Sequence, residues 1–128
     1  MSFRTDMAKV AGLGSAKEGT HHWWGQRLTS LALIPLGPLF VLQFGRLLGA
    51  DRETVIAAFS GAGNSLIAIL FLIAAFLHLR QGLQVVIEDY VHTRSATVTL
   101  LILNTLLCWG FMIAGVWAVV SISLQQVA

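Results

Sequence analysis

Charge is what this sequence has least of. Only 11% of its 128 residues are Asp, Glu, Lys or Arg, whereas about a quarter are charged in an ordinary soluble domain. The eight Lys and Arg are scattered and the net charge is only +2, which excludes the basic stripe or patch that nucleic acid requires. Cysteine occurs once, at Cys108. The chain therefore builds neither an internal disulfide nor a four-thiolate iron–sulphur cluster by itself. The first 22 residues lack the apolar centre of a secretory signal, and Asp6 and Glu18 interrupt any segment of the transit-peptide kind. The expectation is that Met1 begins the mature protein. No internal repeat and no low-complexity segment is visible.

What fills the chain instead is apolar. Hydrophobic residues make up 56% and the mean hydropathy is +0.78, which together with the charge deficit predicts an all-α integral membrane protein. Residues 1–22 read as a polar N-terminal arm and residues 23–128 as a three-helix transmembrane domain. Trp23 and Trp24 mark the entry, because paired indoles favour the headgroup level. A first apolar run extends from about Leu28 to Leu48, with Pro35 and Pro38 inside it; about twenty such residues cross a hydrocarbon core. Arg46, Asp51, Arg52 and Glu53 form a polar connection. The second run is longer than one crossing needs. Its start, from Thr54 or Ser60, reads as a short interfacial helix, broken at Gly61-Ala62-Gly63-Asn64 before a span from about Leu66 to Tyr90. The turn Val91–Ser95 returns the chain into a third run, about Ala96 to Leu124, which carries no charge. Arg4, Lys9, Lys17, Arg27 and Arg94 fall on one side, and only Arg46 and Arg52 on the other. The bias puts the N-terminus in the cytoplasm.

Three spans place His21–Arg27 and Glu88–His92 on one membrane face, gathering His21, His22, His92, Arg27, two carboxylates and Tyr90. Interfaces attract such residues without any special role. His78 differs because it lies twelve residues before Tyr90, about 18 Å along a helix, and an ionisable group at that depth needs a partner. It is either a neutral imidazole bonded to a neighbouring helix or an axial haem ligand. Ala74 and Gly82, one turn to either side, are small enough for a flat macrocycle to approach the backbone. A second axial ligand would have to come from another chain. Arg80 points to a different face, as a snorkelling group, a propionate partner or a satisfied buried charge. Tyr90 is an aromatic-belt residue or a hydrogen-bond donor to a quinone carbonyl. In the second case Asp89 and Glu88 would relay protons and Arg27 would hold Asp89 ionised.

These residues resemble a known family. His78-x3-Gly82 followed by Asp89-Tyr90, with Gly19-x-His21 and Arg27-x-Thr29 opening the first span, is similar to the smaller hydrophobic anchor subunit of succinate dehydrogenase, respiratory complex II. The resemblance implies three spans packed with a second, cytochrome b-type anchor subunit. It implies that His78 is one axial ligand of the iron of haem b shared with that subunit, with Gly82 beside the macrocycle. Arg27 would lie near the haem propionates and His21 near the quinone end. Tyr90 would donate to ubiquinone, with Asp89 in support. Flavin and iron–sulphur clusters would belong to a flavoprotein subunit and an iron–sulphur subunit docked on the cytoplasmic face of a bacterial inner membrane. The chain would have no activity alone. His22 and His92 receive no fixed role, and the third span a packing role. The alternatives are a fumarate reductase anchor, with the same architecture run in the opposite direction, and a small non-redox membrane subunit.

Overall fold

The computed structural model describes Thr5, Met7 and residues 19–125; most of the polar arm read over residues 1–22 lies outside them. Helix α1 runs Gly19–Gly45, α2 Arg52–Ser60, α3 Ala62–Tyr90 and α4 Arg94–Leu124. Three of these, α1, α3 and α4, are long and apolar enough to cross a membrane, as the composition requires. Helix α1 takes in His21 and His22, which the sequence had suggested for the arm, and continues through Pro35 and Pro38.

The connections explain where each helix stops. After α1 the chain makes a turn in which the Leu47 amide donates to the Phe44 carbonyl and the Ala50 amide to the Leu47 carbonyl. Gly49 occupies the left-handed region there, φ 79°, a conformation that costs a residue without a Cβ little. Asp51 caps α2, its carboxylate accepting from the Thr54 amide at 3.1 Å. Hydrogen bonding from the Thr54 hydroxyl, and secondly from its amide, holds the Asp51 carboxyl below its ordinary value. The break between α2 and α3 falls at Gly61, within the Gly-Ala-Gly-Asn stretch that marks it in the sequence. Side chains just past the break take up carbonyls that the end of α2 leaves free. Asn64 Nδ2 donates to the Ala58 carbonyl at 2.7 Å and Ser65 Oγ to that of Phe59 at 2.6 Å. At the far turn, Thr97 Oγ1 donates to the Val91 carbonyl at 2.9 Å.

Packing is a row, not a closed bundle. Helix α3 lies in the middle with α1 on one side and α4 on the other, while α2 folds against α3 and α4; α1 and α4 do not meet among the described residues. The tight core is at the α2 end. Phe59, Ala68 and Val119 are its buried centre, flanked by Phe40, Leu47, Val55, Ile69, Leu72 and Ile122. Phe40 stacks on Phe71 with ring centroids 4.0 Å apart, and Phe44 meets Phe59 edge-on at 5.8 Å. Gly115 lets α4 close on α3: a Cβ there would sit 3.3 Å from Leu72 Cδ1. Elsewhere the row offers broad apolar faces, including Trp109 and Trp117 on α4. In a membrane protein those faces meet lipid or another subunit.

Candidate cofactor site around His78

The contact that fixes α1 against α3 at the other end is polar. Thr29 Oγ1 lies 3.1 Å from His78 Nδ1 and Ser30 Oγ lies 3.5 Å from the same atom. Both hydroxyls also face backbone carbonyls of their own helix. Thr29 Oγ1 donates toward Gly25 O at 3.0 Å or Gln26 O at 3.1 Å, and Ser30 Oγ donates to Gln26 O at 2.8 Å. A hydroxyl has one proton and two lone pairs. Spending the proton on the carbonyl leaves each oxygen an acceptor, so His78 Nδ1 carries the ring proton and donates to Thr29. The opposite tautomer would put a proton on Nε2, which has no hydrogen-bond partner among the described residues. In an apolar surrounding an unmet donor is costly. In the neutral ring the favoured tautomer leaves the Nε2 lone pair free, the state a metal-ligating imidazole requires.

One turn along, the helices approach closely. A Cβ on Gly25 would lie 2.6 Å from Gln81 Nε2, so the bare backbone of α1 receives the Gln81 amide. Together with the Thr29–His78 pair this sets an antiparallel register that brings Arg27 level with about Arg80. The expectation that Arg27 meets Asp89 at one interface is therefore corrected. Nine residues separate Arg80 from Asp89, roughly 13 Å of helix, and no ion pair joins Arg27 to Asp89 among the described residues. The guanidinium of Arg27 lies over the Trp23 ring, 5.3 Å from its centroid. The same register puts His21 level with about Val85, between His78 and Tyr90. A polar recess of about 240 Å³ runs beside the site, lined by Trp23, Gln26, Arg27 and Ser30.

Of the small residues flanking His78, Gly82 has open space where a Cβ would be, whereas Ala74 is buried in the helix packing. An open flank thus exists on the Gly82 side and not on the Ala74 side. Arg80 is half-buried with Nε unpartnered, and its backbone carbonyl accepts from Asn104 Nδ2 of α4 at 2.9 Å. The Cys108 thiol in turn approaches Asn104 Oδ1 at 3.4 Å. His22 Nε2 and Gln81 Oε1 are further buried polar atoms without partners. This chain alone leaves several polar demands unmet at one level.

At the end of α3, Tyr90 is 78% exposed. Glu88 and Asp89 are exposed beside it, and Glu88 accepts from Gln84 Nε2 at 2.9 Å. His92 turns back, its Nδ1 donating to the Tyr90 carbonyl at 3.0 Å, a closing role that the sequence did not suggest. Thr29 entered the sequence reading only as part of the Arg27-x-Thr29 match, with no role, and Ser30 not at all, yet both meet His78. The available signal was two adjacent hydroxyls inside an apolar run, which in lipid need partners across a helix interface.

Comparison with known proteins places the whole chain. The family described as "Succinate dehydrogenase/Fumarate reductase transmembrane subunit" matches residues 1–114. The succinate dehydrogenase hydrophobic membrane anchor subunit of Paracoccus denitrificans is 33% identical over 129 aligned residues, covering 99% of this chain and 98% of that protein. Its counterpart in Rickettsia bellii is 35% identical over 78% of this chain and 80% of its own length. The succinate dehydrogenase membrane anchor subunit of Reclinomonas americana is 29% identical over 59% of this chain and 66% of its own length. No solved structure matches.

Proposed function

Because this chain belongs to the succinate dehydrogenase/fumarate reductase transmembrane subunit family, we propose that its His78 supplies one axial ligand to a haem b and its Tyr90 and Asp89 help form a ubiquinone site. The family and the relatives make it a multi-pass membrane anchor subunit of a succinate dehydrogenase complex. The finer reading rests on one observation: the His78 imidazole is held through Nδ1 by α1, leaving Nε2 unpartnered within an apolar span.

The residues present fit the group. Haem iron takes a neutral imidazole nitrogen, often with the other ring nitrogen hydrogen-bonded. The open flank at Gly82 leaves room for a flat ligand. Propionates are anions, and Arg27 brings a cation to the level of His78, where no acidic residue lies among the described residues. When bound, the haem supplies a one-electron store inside the membrane. A second protein ligand would have to come from the partner, because the three other histidines, His21, His22 and His92, belong to the helix ends. That partner is the cytochrome b-type anchor subunit, covering the open side of the three-helix row.

At the membrane boundary, Tyr90 has a phenol to donate to a quinone carbonyl, and Asp89 and Glu88 carry protons from the aqueous side. The exposure of Tyr90 suits a pocket finished by the anchor partner and the docked iron–sulphur subunit, with the flavoprotein subunit beyond it. His21 lies between the two levels and orients the quinone end. The excess of arginine and lysine on this side supports a cytoplasmic face in a bacterial inner membrane. The relatives named above, all succinate dehydrogenase anchors, favour succinate oxidation, a step of the tricarboxylic acid cycle, over fumarate reduction.

The test is a reduced-minus-oxidised spectrum of the purified complex. A low-spin haem b is expected in the native complex, and its disappearance in His78→Ala. A native complex without haem would remove the proposal.

A further inference from the structure

Thr29 and Ser30 of α1 both approach His78 Nδ1. We propose that these two hydroxyls on α1 are positioning residues that fix the tautomer and rotation of His78 and thereby set how strongly it binds haem iron; the inference rests on the haem reading above.

An imidazole ligand needs its second nitrogen held, and in many sites a carboxylate or the ligand's own backbone does this. Neither is available to His78. No carbonyl of α3 is bonded to the His78 ring among the described residues, and the acidic residues Glu88 and Asp89 lie ten and eleven residues away. Among the described residues, the acceptors near Nδ1 are Thr29 Oγ1 at 3.1 Å and Ser30 Oγ at 3.5 Å, on a different helix. The register of α1 against α3 therefore decides where the imidazole points. Gly25, one turn before Thr29, is what allows that register, since its missing side chain leaves the space the Gln81 amide uses.

The kind of acceptor matters as well as its place. A neutral hydroxyl takes the Nδ1 proton as a shared partner without drawing it away. The ring stays a neutral donor and does not approach the imidazolate that a carboxylate would favour. Each hydroxyl remains fit for this because its own proton is tied to a carbonyl of α1. Thr29 and Ser30 together form a paired acceptor, the nearer one dominant.

Thr29→Val keeps the shape and removes the nearer acceptor, and Thr29→Val with Ser30→Ala removes both. Loss of such an outer partner typically weakens a metal site about 10–100-fold, so the double variant should release haem more readily by that order. With less electron density on Nε2, the iron's preference for the ferrous state should rise up to about tenfold, or about 59 mV for a one-electron couple. Thr29→Ser keeps an acceptor and should restore both properties. Measured on the assembled four-subunit complex, haem content per flavin, the ferric spin-resonance signature and the midpoint potential read these changes. A structural role alone would lower the yield of complex without moving the potential. A haem-bearing double variant with native retention, signature and potential overturns the positioning role. A native complex with no haem overturns the reading beneath it.

Discussion

The two ends of the helical row are built by opposite rules. At the α2 end, four aromatic rings, Phe40, Phe44, Phe59 and Phe71, stack across three helices, and Phe59 keeps only 4% of its surface. Several polar groups there are satisfied within the chain, by a capped helix start at Asp51 and by Asn64 and Ser65 taking up carbonyls of α2, although the buried Gln43 amide finds no partner among the described residues. At the His78 end the contacts are polar and sparse. Buried atoms of His22, Arg80 and Gln81 find no partner, and Trp23, Trp24 and Tyr90 stand exposed. One end is packed largely by this chain. The other offers exposed rings and more of the unmet polar atoms. An unmet buried polar group is costly in an apolar setting, so those around His78 fit the proposal that a cofactor and partner subunits complete this end.

If that division is right, damage to each end should have a different signature. His78→Ala should have the largest effect on the open end: haem is lost from the complex while the α2 core stays intact. Phe59→Ala should do the reverse. Removing a buried Phe commonly costs about 3–5 kcal/mol, so the melting temperature of the complex should fall while the haem potential in surviving complex is unchanged. A Phe59→Ala complex of native stability but altered potential would break the comparison.

A smaller effect should separate two levels within the open end. Tyr90→Phe removes one hydrogen-bond donor, worth about 1 kcal/mol, so succinate-to-quinone activity should drop by roughly fivefold to tenfold. Succinate oxidation with an artificial acceptor should persist, and the haem spectrum should not change, because Tyr90 lies about 18 Å along α3 from His78. Equal loss of both activities would count against a quinone role.

The parts of this arrangement legible in the sequence are those governed by hydropathy and turn chemistry. Three spans follow from long apolar runs, and the Gly61 break follows from glycines beside a polar Asn64. The depth of His78 follows from counting residues to Tyr90. What could not be read was lateral: which face of α1 meets α3, and in what register. A soluble helix reveals its packed face by an apolar stripe. A helix in lipid is apolar all round, so the stripe disappears and only rare polar residues report the contact. Assuming that charged residues at span ends share one level paired Arg27 with Asp89, whereas the Gly25–Gln81 and Thr29–His78 contacts slide α1 deeper. Ala74 was misplaced for a related reason: spacing puts it on the His78 side of α3, but only neighbours decide whether that side is open or packed.

The bond between Asn104 and the Arg80 carbonyl gives a gentler test, since it is a polar contact at the open end that the chain does complete. Asn104 is 7% exposed and spans α4 to α3. Interhelical hydrogen bonds in membranes average about 0.6 kcal/mol, so Asn104→Leu should lower stability by about that amount and leave haem content near native. A large loss of haem would mean that α4 also sets the level of His78.

The weakest effect expected lies in the loop before α2, where pH acts. The Thr54 hydrogen bond lowers the Asp51 pKa from its ordinary 3.8, so the folded state binds this proton less readily than the unfolded chain. The cap's contribution is therefore fully present above the ordinary Asp value and lost as pH falls through the lowered folded value. Asp51→Asn keeps an acceptor for the Thr54 amide but cannot titrate. Between about pH 5 and pH 3 the native α2 end should lose stability slightly faster than the Asp51→Asn variant, with the haem spectrum identical in both at each pH. A difference in that spectrum would show that the closed end reaches the cofactor, and the separation between the two ends would fail at its most sensitive point.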